Sequence, residues 1–182
     1  MPLHVVGLAI ISADGMIADA AGRMPASIIN PADQRFYAEA LDAAAIVVHG
    51  RNSHEQQTNS PQRRRLVVTR RVAALAPHPT NPKAMLWNPN GTTLEEACAA
   101  LGIDEGVVAV VGGTDVFAHF LPRFDAFELT RAARAEIPGG RPVFPGIPPL
   151  TPEQLLAQHG LRPSPPRVLD AEAEVTLTTW RR

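Results

Sequence analysis

The sequence predicts an α/β fold: a three-layer sandwich around a mostly parallel sheet of about eight strands, with an antiparallel C-terminal edge. Short apolar runs alternate along the chain with segments of helical periodicity, as in parallel sheets whose crossovers are helices. Residues 107–111 are valine and alanine without polar alternation, which is typical of a strand covered on both faces. Residues 174–180 alternate in polarity, which favours a closing antiparallel hairpin.

Length and composition narrow the class of protein. The 182 residues, 45% of them hydrophobic and 19% charged, suit one globular domain over residues 1–182. The net charge of −1 gives no general attraction to nucleic acid or to an anionic membrane. The apolar run at residues 5–11 is too short to cross a bilayer and lacks signal-peptide features, so we expect a cytoplasmic protein. One cysteine excludes an internal disulfide framework and a cysteine zinc site, and no metal is predicted.

The elements are predicted in the following order. Strands are expected at residues 4–11, 45–49, 66–69, 84–87, 107–111, 126–131, 167–169 and 174–180. Helices are expected at residues 31–44, shortly after residue 53, at 93–101, at 115–121 and from residue 151 onward. The first helix has the clearest start, because Asn30 suits the N-cap, Pro31 the first helical position, and Asp33 follows three residues after the cap.

Residues that favour anions follow three of the predicted parallel strands. They are Gly50, Arg51, Asn52 and Ser53 after the second strand, Thr69, Arg70 and Arg71 after the third, and Gly112, Gly113 and Thr114 after the fifth. Ligands bind outside the carboxyl ends of such strands, and one guanidinium group can donate two parallel hydrogen bonds to a phosphate group. An arginine that follows a strand is more commonly a solvated surface charge, but the three strand ends together predict a phosphorylated dinucleotide.

The end of the fifth strand carries the most information. Two glycines follow Val111, and without Cβ atoms they let the backbone approach a ligand closely. Thr114 and Asp115 suit an N-cap or a first turn, whose free N–H groups favour an anion. The alternative is a strand-to-helix turn in which the glycines serve packing alone. The Gly-x-Gly-x-x-Gly fingerprint and the Walker P-loop are both absent from the sequence.

An ordered set of short motifs over nearly the whole chain resembles the dihydrofolate reductase family. The motifs are Met24-Pro25, Pro31-Ala32-Asp33 with Phe36, Gly50-Arg51-x-Ser53-x-Glu55, Leu66-Val67-Val68-Thr69-Arg70, Val111-Gly112-Gly113-x-x-Val116-Phe117, Phe120-Leu121-Pro122, Glu128-Leu129-Thr130 and Phe144-Pro145. The resemblance implies that NADPH is the hydride donor. It places Arg51 and Arg70 at the adenosine 2′-phosphate, and Ser53 with the amide of Asn52 at the pyrophosphate. The other cofactor-side residues it implies are Ala9, Ile17, Gly50, Thr69, Arg71, Gly112, Gly113, Thr114, Asp115 and Val116.

On the substrate side, the resemblance assigns Asp33 to the carboxylate that binds the pterin amidine edge and promotes protonation of N5 while hydride goes to C6. Thr130 would bond the same edge, and Arg63 aligns with the arginine that holds the folate glutamate. The remaining substrate-side residues are Met24, Ile28, Phe36, Tyr37, Val111 and Phe117. The residues alone leave alternatives open: Asp33 as a capping-box carboxylate on the amide of Asn30, Thr130 as an ordinary strand threonine, and Arg63 in a solvated basic loop.

The chain also departs from that family. Ala26 stands where a tryptophan is expected after Met24-Pro25, with two extra residues before Asp33. Residues 12–18 and 139–146 instead resemble the pyrimidine reductase domain of riboflavin synthesis, which also uses NADPH but usually has no carboxylate at the position of Asp33. Because Asp33 supplies the carboxylate that the resemblance assigns to a pterin site, the expected function is reduction of a dihydropterin such as dihydrofolate or dihydromethanopterin. Reduction of a riboflavin precursor and a non-catalytic nucleotide-binding role are the alternatives, in a monomer or a homodimer.

Overall fold

The computed structural model describes residues 2–53 and 57–182. Its strands are β1 (Leu3–Ser12), β2 (Met16–Ala18), β3 (Ile46–Gly50), β4 (Arg65–Val68), β5 (Leu75–Pro77), β6 (Ala84–Trp87), β7 (Gly106–Val110), β8 (Ala126–Ala132), β9 (Arg141–Pro142), β10 (Arg162–Pro163), β11 (Arg167–Asp170) and β12 (Val175–Arg181). Its α-helices are α1 (Pro31–Ala43), α2 (Leu94–Ala99), α3 (Thr114–Phe120) and α4 (Pro152–Gln158).

The main sheet runs in the order β10-β12-β8-β1-β7-β3-β4-β6-β5, with β11 also paired to β12. The central strands from β8 to β6 are parallel to their neighbours. At one end β12 lies antiparallel to β8 and carries β10 and β11, and at the other end β5 lies antiparallel to β6. The predicted mostly parallel sheet with an antiparallel C-terminal edge is confirmed.

Helices cover both faces of the sheet. Leu8, Val47 and Ala109 project to one face and pack with α1, whereas α2, α3 and α4 contribute to a larger apolar cluster. That larger cluster lies on the opposite face, because side chains alternate along a strand. Gly7 shows this directly: a Cβ there would lie 2.3 Å from the ring of Phe127, which belongs to the larger cluster. The three-layer arrangement is therefore confirmed.

Helix α1 begins at the predicted residue, and α2, α3 and α4 each begin within one residue of the predicted position. Asn30 is the N-cap of α1, and its side-chain oxygen accepts from the amides of Ala32 at 2.9 Å and Asp33 at 3.2 Å. Capping boxes open α2 at Thr93 and α4 at Thr151, with reciprocal side-chain and backbone bonds. These local bonds fix the direction in which each helix leaves its preceding loop.

The strand count differs from the prediction of about eight. Ten strands of the described ranges form the main sheet, and β2 pairs with β9 in a separate ribbon. The additional strands β2, β5, β9 and β10 have only two or three residues each, too few to show a periodicity in sequence. The short helix predicted after Ser53 falls partly on residues 54–56, outside the described residues, and Ser60–Gln62 forms a 3-10 turn.

Residues 2–53 and 57–182 contain neither a candidate membrane span nor a candidate metal site. No helix in these ranges is long and apolar enough to span a membrane. Within the same ranges, no three His, Cys, Asp or Glu side chains converge in a way that could hold a metal ion.

Candidate active site

A cleft of about 540 Å³ opens at the carboxyl edge of the parallel strands. β3, β4 and β6 end there, so the residues that follow these strands face one another across the cleft. The lining residues are Gly50, Arg51, Asn52, Val68, Thr69, Arg70, Arg71, Asn88, Pro89, Asn90, Asp115, Val116 and His119. The structure thus brings together eight residues predicted to bind the cofactor, namely Gly50, Arg51, Asn52, Thr69, Arg70, Arg71, Asp115 and Val116.

The charges of the cleft are unbalanced. Arg51, Arg70 and Arg71 are exposed, and none of their guanidinium groups has a hydrogen-bond or ion-pair partner within the described part of the chain. Burial, with a smaller effect of nearby Arg123, lowers the pKa of His119, which disfavours the charged form of this side chain. Asp115 supplies the acidic group among the lining residues. The cleft therefore has a net positive charge and unsatisfied donors, a combination that suits phosphate groups.

The two glycines after β7 provide bare backbone beside the cleft. Gly112 has φ of +108°, and a Cβ there would lie 2.9 Å from the ring of Phe117. A Cβ on Gly113 would lie 3.1 Å from Oγ of Ser53, so this hydroxyl adjoins an uncovered stretch of main chain. The hydroxyl of Thr114 donates to the carbonyl of Pro142 at 2.5 Å, which commits that side chain to holding the loop.

Asp33 and Thr130 form a buried polar pair on the α1 face of the sheet. Asp33 lies in the first turn of α1 and is 5% exposed, and Thr130 lies on β8 and is 2% exposed. Burial raises the pKa of Asp33 to about 6, and a hydrogen bond from the Thr130 hydroxyl partly opposes that rise. Among the described residues the Asp33 carboxyl accepts no hydrogen bond from the Asn30 amide, so the capping box is incomplete, and the carboxyl accepts from the Thr130 hydroxyl instead.

Strand β7 connects the α1 face of the sheet with the cleft. Val111, directly after β7, packs with the apolar cluster under α1, to which Phe36 and Tyr37 also contribute. The next two residues are Gly112 and Gly113, described above beside Ser53. The α1 face and the strand-end cleft are therefore adjoining parts of one region, joined by three consecutive residues.

The structure places other predicted residues less uniformly. Ala9 and Ile17 are partly buried at the border of the larger core. Met24 is exposed, whereas Ile28 is buried in that core.

Phe117 is not brought to the substrate side. It is 1% exposed and packs against Phe127 and Phe144, with ring centroids 5.4 and 6.1 Å away. These rings belong to the larger core on the face opposite α1. Phe117 supports Gly112 from beneath, a role that the motif in the sequence does not distinguish from ligand contact.

Arg63 is placed differently from the sequence expectation. It is 7% exposed, and its guanidinium donates to the carboxylate of Asp42 from Nε at 2.9 Å and from Nη2 at 2.6 Å. Nη1 donates to Oε1 of Gln57 at 2.8 Å. Arg63 is therefore neither in a solvated loop nor presented to solvent for a substrate carboxylate.

Sequence reasoning missed part of the cleft wall. Asn88, Pro89 and Asn90 follow β6, and the rule applied to the other strand ends would have found them. His119 stands four residues after Asp115 on α3, so both line the cleft from one helix face. The helical spacing was a usable signal.

Comparison with known proteins places the fold. No protein-family profile and no curated sequence matches the chain. A dihydrofolate reductase from Enterococcus faecalis, solved with NADP(H) and RAB-propyl, has a TM-score of 0.66 at 19% identity over 98% of this chain and 96% of its own. A protein described as a riboflavin biosynthesis protein from Shewanella sp. PV-4 has a TM-score of 0.64 at 17% identity over 98% of both chains.

A third structure extends the comparison to the riboflavin pathway. It is a diaminohydroxyphosphoribosylaminopyrimidine deaminase/5-amino-6-(5-phosphoribosylamino)uracil reductase from Thermotoga maritima, with a TM-score of 0.65 at 16% identity. The alignment covers 99% of this chain but 56% of that one. This chain has the dihydrofolate reductase-like fold. At such identities the likeness carries the fold alone.

Proposed function

We propose that this chain is an NADPH-dependent reductase that transfers hydride to a dihydropterin. The observations that support the proposal are the buried Asp33–Thr130 pair on the α1 face of the sheet and the positively charged strand-end cleft that adjoins this face through Val111. A buried carboxyl with no cationic partner in the described chain suits a ligand with a flat edge of N–H donors, such as the amidine edge of a pterin. Such an edge offers two parallel hydrogen bonds to one carboxylate.

The cleft supports NADPH as the second ligand. Its three unpaired arginines can each bind phosphate oxygens, and its volume of about 540 Å³ suits the adenosine end of a dinucleotide. We assign Arg51 and Arg70 to the 2′-phosphate and Ser53 with the Asn52 amide to the pyrophosphate. The bare backbone of Gly112 and Gly113 would accept the nicotinamide end, where a side chain would collide with Phe117 or Ser53.

The chemistry needs one proton for each hydride. NADPH, when bound, supplies the hydride that adds to the carbon of a C=N bond, and the nitrogen must then gain a proton. Asp33, with a pKa of about 6, is partly protonated near neutral pH and orients the ring so that this nitrogen can be protonated. Thr130 fixes the carboxyl by donating to it. Burial under α1 keeps bulk water from competing for these bonds.

The proposal is tested by NADPH oxidation with 7,8-dihydrofolate and with 6-hydroxymethyl-7,8-dihydropterin. We expect turnover of at least one of them, and a fall in kcat of about 10²–10⁴-fold in Asp33→Asn, the range that general acid catalysis contributes. Above pH 6 the rate should fall about tenfold per pH unit, as the Asp33 carboxyl loses its proton. Asp104→Asn, an exposed acidic residue, is the matched control.

Reduction of a riboflavin precursor is the second candidate, and one observation favours it. The two segments that resemble pyrimidine reductases lie against each other: β2 pairs with β9, and the amide of Val143 donates to the carbonyl of Gly15 at 3.0 Å. Turnover of the ribosylaminopyrimidine with full activity in Asp33→Asn would establish this alternative. NADPH binding without turnover of any pterin or pyrimidine would indicate a non-catalytic nucleotide-binding role.

A further inference from the structure

The segment 57–63 lies along one side of α1 and is hydrogen-bonded to it. Gln34, Ala38 and Asp42 stand four residues apart, so they form one stripe along the helix. Each of them accepts a hydrogen bond from that segment. The contacts extend over two turns of α1, beginning one residue after Asp33.

Arg63 is the centre of these contacts. Two of its bonds reach the Asp42 carboxylate, a third reaches Gln57, and Nη2 also lies 3.5 Å from the carbonyl of Ala38. The bond from Arg63, with a second from Asn59, holds the pKa of the Asp42 carboxyl below its usual range. The buried guanidinium of Arg63 is therefore directed at the helix, and its positive charge is neutralised by a carboxylate that is itself partly exposed.

Gln57 and Asn59 provide the remaining side-chain hydrogen bonds between this segment and α1. The amide of Gln57 donates to the carbonyl of Gln34 at 3.4 Å while its oxygen accepts from Arg63. Asn59 donates to the second carboxylate oxygen of Asp42 at 3.0 Å. We call the set Gln34, Asp42, Gln57, Asn59 and Arg63 the polar latch.

Resting on the function proposed above, we infer that the polar latch makes this a reductase of compact dihydropterins, without recognition of a carboxylated p-aminobenzoylglutamate tail. A tail carboxylate would have to replace Asp42 on Arg63, which exchanges one carboxylate for another with no net electrostatic gain. An aromatic tail lying along α1 would also have to separate Gln57 from Gln34. Asp42 is thus a specificity-determining residue, acting through Arg63.

The decisive comparison is kcat/KM for 6-hydroxymethyl-7,8-dihydropterin and 7,8-dihydrofolate, which share the reacting ring. In the unmodified protein we expect the tail to give no advantage, so that kcat/KM for dihydrofolate is equal or lower. Asp42→Asn removes the anion that holds Arg63. It should lower KM for dihydrofolate about tenfold without changing kcat, the gain expected for one charge-assisted hydrogen bond. A preference of tenfold or more for dihydrofolate in the unmodified protein would overturn the inference.

Two variants separate the polar latch from general effects. Arg63→Gln in the Asp42→Asn background should abolish the gain, whereas Arg64→Gln, a neighbouring exposed arginine, should leave it intact. A gain that survives loss of Arg63 would show that the polar latch is not its cause.

A binding measurement keeps this inference distinct from the proposed function. If neither dihydropterin is turned over, the proposed function fails, and calorimetric titration with p-aminobenzoylglutamate alone still decides the question of the tail. Binding to Asp42→Asn and not to the unmodified protein supports the polar latch. Binding to the unmodified protein, or to neither, overturns it.

Discussion

Arginines in two regions of this molecule differ in their exposure to solvent and in their pairing with other side chains. In the strand-end cleft, Arg51, Arg70 and Arg71 are exposed and have no partner within residues 2–53 and 57–182. Beside α1, Arg63 is almost fully buried and donates to Asp42 and Gln57. An unpaired surface cation is available to an anion that arrives and leaves. A buried, neutralised cation stabilises the fold, and the residue type alone does not tell the two apart.

Asp33 differs from both groups of arginines, because it is a buried acidic residue with no oppositely charged partner in the described chain. Its burial raises the pKa to about 6, and the Thr130 hydroxyl offsets only part of that rise. Keeping such a group costs stability at neutral pH, and the cost is typical of sites that bind or react.

Removing both candidate phosphate ligands should have the largest effect. We expect Arg51→Ala with Arg70→Ala to weaken NADPH binding by about 10²-fold or more, since each charge-assisted hydrogen bond contributes about 1.5–3 kcal/mol. NADH, which lacks the 2′-phosphate, should lose much less. Equilibrium titration of nucleotide fluorescence measures both. Equal losses for NADPH and NADH would contradict the assignment of these arginines to the 2′-phosphate.

Asp33→Asn should stabilise the protein at alkaline pH. The unfolded carboxyl ionises near pH 3.8 and the folded one near 6, so the folded state binds more protons between these values. Stability of the unmodified protein therefore falls as pH rises from about 4 to 6 and stays low above it. At about 1.4 kcal/mol per pKa unit the loss is about 3 kcal/mol, which the asparagine avoids.

Urea unfolding at pH 4 and pH 8 checks the sign of this effect. The difference between Asp33→Asn and the unmodified protein should be small at pH 4 and about 3 kcal/mol at pH 8. The exposed control Asp104→Asn should show no such change. A variant that is less stable at pH 8 would mean that the Asp33 carboxylate is stabilised by a partner.

Arg63→Met should affect stability and not NADPH binding, which is the opposite of what we expect for substitutions of the cleft arginines. It removes partly buried hydrogen bonds to Asp42 and Gln57, and we expect a loss of about 1–3 kcal/mol in the free energy of unfolding with NADPH affinity unchanged. Arg70→Met should show the opposite, with stability changed by less than about 0.5 kcal/mol and NADPH binding weakened. Thermal unfolding and nucleotide titration on both variants test the contrast. Weakened NADPH binding in Arg63→Met would remove the distinction between the two regions.

Thr130→Val should give the smallest effect. Without the hydroxyl that donates to Asp33, the pKa of that carboxyl should rise further, by about one unit, the size expected for one hydrogen bond. The pH profile of kcat should then move to higher pH in the same direction. An unchanged profile would mean that the Asp33 carboxyl does not control the rate.

Much of the architecture could be predicted because its signals are local. The apolar runs of the central strands, the Asn30 cap and the capping boxes at Thr93 and Thr151 depend on residues within a few positions of one another. The strand-end rule likewise placed Arg51 and Arg70 at one edge, and the structure puts both in the cleft. The edge strands β5 and β10 escaped prediction because two or three residues pair only when a neighbour offers its backbone.

The sequence by itself determined the α/β class, the helix starts and the edge of the sheet where anion-binding residues collect. The tertiary structure alone decided which charged residues are free to bind a ligand and which are buried or paired within the protein. Asp33 becomes a weak acid because β8 and α1 bury it beside Thr130. Arg63 becomes part of the fold because α1 presents Asp42 to it. Both outcomes depend on groups far apart in sequence, and burial and pairing, which set the state of a charge, exist only once the chain has folded.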